Sequence, residues 1–142
     1  DLLVYLSGAP VVSVSAAMVG EGVAVRDDKM SILLRFADGS IGVVNYFANG
    51  SKSYPKERLE VFSDGRTLVM DNFRKITGYG FGKFKSFSTQ TQDKGHRAEI
   101  HTFLERVAKG GKPPIALAEL HNVTLASFAA VESARMGECV KV

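Results

Sequence analysis

The sequence has a single cysteine, Cys139, and no tryptophan among its 142 residues. One cysteine cannot form an intramolecular disulfide, and a zinc site built on several thiolates is excluded with it. No apolar run approaches the roughly 18 residues of a membrane span, and no signal peptide is visible. We therefore expect a cytoplasmic protein with no membrane partner.

A strong charge of one sign is also lacking. The formal net charge is +3, and the 18 basic residues are spread along the chain, which is too little to indicate a nucleic-acid partner. Of the three histidines, His96 and His101 are five residues apart and so miss the i, i+4 spacing of helical metal ligands. We expect no metal site.

What is present is a run of strand patterns. Residues 11–16 are rich in β-branched side chains, and apolar residues alternate from Met30 to Phe36. Asp38-Gly39 and Asp64-Gly65 each separate two such runs, which favours two-residue hairpin turns. That register sets Phe36 opposite Ile41 and Arg58 opposite Asp71. Residues 20–28 predict a loop, and residues 75–90 predict further strands.

The pattern then becomes helical. Ile100, Phe103, Leu104 and Val107 share one face of a helix that Gly110 ends, and a second helix runs from about 117 to 135. Strands followed by helices indicate an α+β fold. We predict an open, mainly antiparallel sheet with two helices packed on one face, in a single domain over residues 1–142.

The assumed first hairpin also predicts an interface. It places a nearly apolar set under the helices: Met30, Ile32, Leu34, Phe36, Ile41, Val43 and Phe47. The opposite face is mixed, and four of its residues form our predicted contact between copies of the chain: Leu33, Arg35, Val44 and Tyr46. A mixed face with an aromatic residue is typical of an interface, so we expect a homo-oligomer through this open sheet face.

Residues 78–84, Gly-Tyr-Gly-Phe-Gly-Lys-Phe, allow three interpretations. They resemble an RNA-recognition motif with aromatic residues on a strand, but Thr77 and Gly82 depart from it. They fit a dinucleotide-binding loop worse, because Lys83 stands at the third glycine and no helix is predicted next. A glycine-rich turn whose aromatic residues pack on the core is the alternative we favour.

Lys56 and Lys94 are the remaining polar candidates. Lys56 lies in a loop before a strand, and Lys94 lies at a helix start beside His96, where it could bind an anionic or hydroxyl-rich ligand. The alternative for both is an ordinary solvated lysine.

Taken together, five segments resemble the C-terminal domain of the Gfo/Idh/MocA oxidoreductase family. They are Asp1–Gly8, Phe36–Gly42, Tyr54–Phe62, Leu68–Phe73 and Asp93–His96. The sequence Pro-Lys-Glu-Arg-Leu-Glu-Val-Phe, together with Asp-Asn-Phe and Asp-Lys-Gly-His, most resembles sequences of a subgroup in which this domain is fused to a zinc-alcohol-dehydrogenase-like region.

The resemblance implies that most of the catalytic machinery lies elsewhere. Asp1 matches the family's aspartate three residues after a catalytic histidine, which would precede residue 1. A Rossmann domain with its NAD or NADP and a catalytic lysine would also lie upstream, in cis. We therefore expect no catalytic or cofactor-binding residue in this chain, which alone should be inactive. Five polar positions picked out by the resemblance are predicted to bind substrate or support its pocket: Tyr54, Lys56, Asn72, Lys94 and His96.

The expected function is thus a substrate-binding and oligomerisation domain of an NAD(P)-dependent oxidoreductase acting on the hydroxyl or carbonyl group of a sugar or polyol. The alternative is a stand-alone α+β binding or dimerisation module without catalytic activity. A gene that encodes a glycine fingerprint and an aspartate–histidine helix upstream of Asp1 would favour the first reading.

The isolated chain is predicted not to bind NADH or NADPH with micromolar affinity. It has no glycine loop opening a helix, which is the element that holds a pyrophosphate. Calorimetric titration should show no saturable heat, and clear saturation would contradict the prediction.

Overall fold

A computed structural model describes residues 1–20 and 28–142, so most of the predicted 20–28 loop lies outside the described residues. The helices are α1 (Leu2–Ser7), α2 (His96–Lys109) and α3 (Leu117–Met136). The strands are β1 (Val11–Met18), β2 (Lys29–Phe36), β3 (Ile41–Phe47), β4 (Arg58–Ser63), β5 (Arg66–Asp71), β6 (Lys75–Tyr79), β7 (Ser86–Ser88) and β8 (Val140–Lys141).

The chain divides into two compact units. Unit 1, residues 1–50 and 113–142, holds α1, α3 and a four-stranded sheet A of order β3-β2-β1-β8. Unit 2, residues 51–112, holds α2 and a four-stranded sheet B of order β4-β5-β6-β7. Every strand pairing described is antiparallel. The α+β class with open antiparallel sheet is confirmed, with two sheets in place of one.

Only one of the two long helices packs as expected. Helix α3 places small residues against sheet A, where Ala126, Ala129 and Ala130 are buried with Val11 and Val14. Small side chains let the helix axis approach the strand closely, and the β-branched strand residues fill the space between. Among the described residues, α2 buries none of its own.

Helix α3 also supplies hydrogen bonds along the outer edge of β1. Strand β8 is short and pairs with β1 only at Ser13 and Val14, so the rest of this edge needs other partners. The Asn122 side chain accepts from the Val11 N–H at 2.8 Å and donates to the Val11 carbonyl at 2.9 Å. The Ser133 hydroxyl accepts from the Ala16 N–H at 2.9 Å. Two helix side chains therefore continue the strand pairing.

The first hairpin differs from the prediction by one residue. The Phe36 N–H donates to the Ser40 carbonyl and Arg35 pairs with Ile41, so the loop has three residues with Gly39 at a φ of 88°. A two-residue turn of the predicted kind would need positive φ at Asp38 as well. The Asp38 carboxylate instead accepts from the Ser40 N–H and hydroxyl, and these bonds lower the pKa of Asp38.

This shift exchanges the faces of β3, because a slip of one residue turns every side chain over. Ile32 pairs with Val44 and Leu33 pairs with Val43. The predicted grouping was therefore wrong on two counts. Val44 and Tyr46 lie on the helix-covered side, away from Leu33 and Arg35, and three residues expected under the helices lie on the open side: Ile41, Val43 and Phe47.

The second hairpin follows the prediction. Asp64 and Gly65 have φ values of 53° and 69° and form a two-residue turn. Arg58 pairs with Asp71 across the strands as expected, but its guanidinium donates to Glu60 at 2.7 Å, two residues along the same strand.

The glycine-rich segment packs on sheet B. A Cβ at Gly78 would lie 2.6 Å from a ring carbon of Phe84, so the missing side chain makes room for that ring. Phe81 and Phe84 meet edge to face with centroids 6.1 Å apart. Both lie outside β6, which carries Tyr79. RNA recognition of the kind considered requires several aromatic residues on one strand, and this segment does not have that arrangement.

Gly80→Ala is predicted to lower the free energy of unfolding by about 2 kcal/mol or more. Gly80 has a φ of 75°, and a Cβ there would lie 2.5 Å from the Gly65 carbonyl oxygen; left-handed geometry alone costs about 1–2 kcal/mol for a residue with a Cβ. Urea denaturation would measure the change. The control is Gly82→Ala, where the Cβ site is open, and equal effects of the two substitutions would contradict the prediction.

Candidate functional site

The β5–β6 turn contains the only non-glycine pair of consecutive left-handed residues in the described part of the chain. Asn72 and Phe73 have φ values of 49° and 51°, and the Arg74 N–H closes the turn on the Asp71 carbonyl at 2.9 Å. Asparagine adopts this conformation readily, whereas phenylalanine does so at a cost of about 1–2 kcal/mol. Strain of this kind is concentrated at functional sites in proteins, which makes the turn a candidate site.

Lys94 and Glu57 form an ion pair beside this turn. The Lys94 ammonium also lies 5.8 Å from the centroid of the Phe73 ring, in cation–π geometry. Both charged side chains are about one-third exposed, and an ion pair at that exposure contributes at most about 1 kcal/mol. The pair therefore positions these groups more than it stabilises the fold.

Backbone and amide hydrogen bonds tie the turn to its neighbours. The Asn72 N–H donates to the Glu57 carbonyl at 2.7 Å. The Gln92 side-chain amide donates to both the Asn72 carbonyl and the Asn72 Oδ1, at 3.0 and 2.9 Å. We refer to the five residues joined in this way as the turn cluster: Glu57, Asn72, Phe73, Gln92 and Lys94.

The turn cluster brings together two of the five residues predicted to bind substrate, Asn72 and Lys94. The other three are exposed: Tyr54 and Lys56 lie in the loop before β4, and His96 is the first residue of α2. Among the described residues, no hydrogen bond or ion pair links those three to the cluster. The roles of all five as substrate residues remain predictions.

Sequence reasoning missed Glu57, Phe73 and Gln92. Glu57 and Phe73 stand next to positions that were singled out, but nothing in the pattern showed that the turn would hold phenylalanine in a left-handed conformation. Gln92 lies twenty residues from Asn72. Only the pairing of β6 with both β5 and β7 brings such distant residues together.

The cluster presents the groups that recognise hydroxyl-bearing molecules. Lys94 carries a cationic donor, the Asn72 side chain has an amide donor besides the oxygen that Gln92 occupies, and Glu57 is an acceptor. The second carboxylate oxygen of Glu57, Oε2, is buried and has no hydrogen-bond partner among the described residues. Removal of Lys94 would therefore leave this carboxylate without its main counter-charge.

The glycine-rich segment differs in structure from a dinucleotide-binding loop. A Cβ at Gly80 would meet the Gly65 carbonyl oxygen, and strand β7 follows the segment. A phosphate site of the dinucleotide-binding kind has a helix N-terminus at that place. Within residues 1–20 and 28–142, no three histidine, cysteine or acidic side chains are grouped as metal ligands. Over the same residues, no helix is long and apolar enough to cross a membrane.

Comparison with known proteins identifies solved structures that share the fold of this chain. No family model matches the sequence, and no curated protein matches it. Among solved structures, levoglucosan dehydrogenase in complex with NADH and levoglucosan matches all of this chain, with a TM-score of 0.77 and 23% identity. An oxidoreductase from Agrobacterium radiobacter, in complex with NAD⁺, L-tartaric acid and magnesium, matches 99% at a TM-score of 0.77 and 17% identity. Aldose-aldose oxidoreductase from Caulobacter crescentus, complexed with glycerol, matches 99% of this chain with a TM-score of 0.72 and 19% identity.

The chain spans less than half the length of each of these proteins: 47%, 46% and 44% in the same order. Residues 1–142 thus have the fold of one portion of oxidoreductases whose structures contain sugars, polyols or hydroxy acids.

Phe73→Gly is predicted to destabilise the protein less than Phe62→Gly, although Phe62 is far more exposed. Glycine adopts the left-handed conformation freely and so recovers the roughly 1–2 kcal/mol of strain at Phe73. In strand β4, the Phe62 substitution instead adds about 0.5–1 kcal/mol of backbone entropy cost. Thermal and urea unfolding of both variants provide the measurement. A larger loss for Phe73→Gly would contradict the prediction.

Proposed function

We propose that residues 1–142 are the substrate-side domain of an NAD-dependent oxidoreductase of the Gfo/Idh/MocA family that acts on a sugar or polyol. The supporting observation is that the fold of the whole chain recurs in levoglucosan dehydrogenase and in two further oxidoreductases bound to hydroxylated molecules. On the basis of the sequence Pro-Lys-Glu-Arg-Leu-Glu-Val-Phe, we further propose that the protein belongs to the subgroup with a zinc-alcohol-dehydrogenase-like region.

The contribution of this domain would be positional. Hydride transfer belongs to the cofactor, and the protein supplies orientation and electrostatics. In the turn cluster, Lys94 and the Asn72 amide would donate to substrate hydroxyl oxygens, and Gln92 would hold the Asn72 side chain in place. The strained turn would keep these donors in a fixed arrangement before substrate arrives, which lowers the entropy lost on binding.

The turn cluster is tested by kinetics of the full-length protein. Lys94→Met keeps the apolar stem and removes the charge, and it should lower kcat/KM by about 10- to 100-fold, the effect of losing one hydrogen bond from a charged group. Lys56→Ala should also lower kcat/KM without unfolding the protein. The assay uses NAD⁺ with a panel of sugars and polyols that begins with levoglucosan.

Lys85→Met is the matched control, since Lys85 is an exposed lysine of the same unit. A kcat/KM for Lys94→Met equal to that of this control would remove the cluster from the substrate site. The same result for Lys56→Ala would return Lys56 to the class of solvated surface lysines.

A second proposal concerns association of the domain with a second copy of itself through the open face of sheet A. With the observed register, Leu33, Ile41, Val43 and Phe47 share this face, and Ile41 and Val43 are 65% and 56% exposed. Arg35 and the Ser31–Asn45 hydrogen bond lie on the same side. An apolar centre with polar neighbours is the usual anatomy of an interface.

Val43→Asp is predicted to shift the light-scattering mass toward that of a monomer at micromolar concentration. Cys139 gives a second readout. Its thiol lies beside the Ser15 and Ser13 hydroxyls of β1, which lower its pKa, and these serines pair with Leu33 and Arg35 of the open face. Its alkylation should be slow in the assembly and faster in Val43→Asp. A monomeric mass for the unmodified protein would contradict self-association.

A further inference from the structure

A pocket of about 210 Å³ lies at the end of sheet B where β4 turns into β5, and we call it the β4–β5 pocket. Two of its residues, Val61 and Leu68, pair across these strands, and Phe81 comes from the glycine-rich segment. The full lining consists of Val61, Ser63, Asp64, Arg66, Leu68 and Phe81. The pocket thus combines aliphatic side chains and an aromatic ring with a hydroxyl, a carboxylate and a guanidinium.

The glycine-rich segment forms one wall of the β4–β5 pocket because two of its glycines permit close contacts. At Gly80, a Cβ would lie 2.5 Å from the Gly65 carbonyl oxygen in the β4–β5 turn. At Gly78, the missing side chain leaves room for the Phe84 ring, which meets the Phe81 ring edge to face. The Phe81 ring is therefore held by a neighbouring ring, on a segment that packs directly against the turn.

Arg66 and Asp64 supply two opposite charges to the β4–β5 pocket. The Arg66 guanidinium lies over the Phe81 ring, 5.7 Å from its centroid, and a guanidinium placed in this way still has N–H groups at its edge for a carboxylate. Neither Arg66 nor Asp64 takes part in an ion pair within residues 1–20 and 28–142. Both charges are thus available to a ligand that carries a carboxylate and hydroxyl groups.

The size and charge of the surroundings indicate the class of ligand. The pocket is smaller than the roughly 300–1,000 Å³ of sites for drug-sized molecules, so a single small ring fits it. The hydroxyl groups of a sugar ring donate to a carboxylate, and its CH groups pack on apolar side chains. Lysine and arginine outnumber the acidic residues about two to one in unit 2, which favours an anion over a neutral sugar.

We propose that the β4–β5 pocket binds a sugar acid, at a site separate from the turn cluster. Arg66 holds the carboxylate through paired hydrogen bonds, Asp64 accepts from ring hydroxyls, and Phe81 packs on the CH groups. Strand β5 begins at the pocket and ends at the strained turn, so the two sites are about 17 Å apart at roughly 3.3 Å per residue. The inference does not depend on the proposed function, since no residue of the turn cluster lines the pocket.

Methyl NMR of the full-length protein tests the site, with D-glucuronate as the probe. Its titration should shift the Val61 and Leu68 methyl signals saturably and leave those of Val69 unchanged, because successive strand residues face opposite sides of the sheet. Two matched compounds separate the contributions, since D-glucose lacks the carboxylate and cyclohexanecarboxylate lacks the hydroxyls. Each should bind at least about tenfold more weakly than glucuronate, the effect of losing a hydrogen bond to a charged group.

Three variants assign the contacts. Arg66→Met keeps the apolar stem and should raise the dissociation constant for glucuronate by about 10- to 100-fold. Arg97→Met is the matched control and should leave it unchanged, since Arg97 is another exposed arginine of unit 2. Asp64→Asn introduces a residue that tolerates the left-handed turn, and it should lower the ratio of the affinities for glucuronate and cyclohexanecarboxylate.

The proposal would be overturned by Val61 and Leu68 signals that do not shift, by equal affinities for glucuronate and either matched compound, or by equal effects of Arg66→Met and Arg97→Met. Lys94→Met keeps this proposal distinct from the proposed function. Glucuronate binding that survives Lys94→Met supports a separate site, and its loss in that variant overturns the separate site. Retained glucuronate binding, with kcat/KM for Lys94→Met equal to that of Lys85→Met, overturns only the role of the turn cluster.

Discussion

The contact between helix α3 and strand β1 is the interaction on which unit 1 depends. Val14 is fully buried between the helix and the sheet, and the alanines of α3 allow that close approach. The same helix satisfies the edge of β1 through Asn122 and Ser133. A buried backbone group without a partner costs about as much as a lost hydrogen bond. The helix therefore supplies both the apolar contact and the polar partners that let β8 be only two residues long.

This arrangement has a consequence for what the helix presents to its surroundings. The buried residues of α3 on the side of the sheet are small, and three of its large apolar residues, Leu117, Phe128 and Met136, are exposed. The protein thus has two kinds of exposed apolar surface in unit 1, one on the open side of sheet A and one on the helices. Both are at positions where a globular domain that ends at its own surface would carry polar side chains.

Unit 2 is organised by its turns more than by a buried core. Met70 is its one buried apolar residue among those described, and the Phe73 N–H points at the Met70 sulfur at 3.0 Å. The strained β5–β6 turn is held by Glu57, Gln92 and Lys94, which come from segments before and after it. A turn held from several directions can keep an unfavourable backbone conformation, and that is the condition under which strain persists in a folded protein.

The features that depend on a few neighbouring residues can be predicted from the sequence alone. Asp64-Gly65 gives a two-residue turn because both residues tolerate positive φ, and Gly110 and Gly137 end α2 and α3 in the left-handed conformation. The α+β class followed from the change of apolar period along the chain. Asn72 and Lys94 were each predicted as candidate site residues. Their proximity, and the contacts of Glu57 and Phe73 that join them, were not predicted.

Where two local conformations are nearly equal in energy, contacts with distant parts of the chain select one of them. Asp38-Gly39 fits a two-residue or a three-residue hairpin loop, and the choice between them falls to contacts elsewhere: Phe36 is buried in the core, and the Ala37 N–H bonds to the Pro10 carbonyl at 3.0 Å. That one-residue difference moved Val44 and Tyr46 to the covered side and Ile41 and Val43 to the open one. The side on which a strand residue lies is set by pairing with distant strands, which no local pattern specifies.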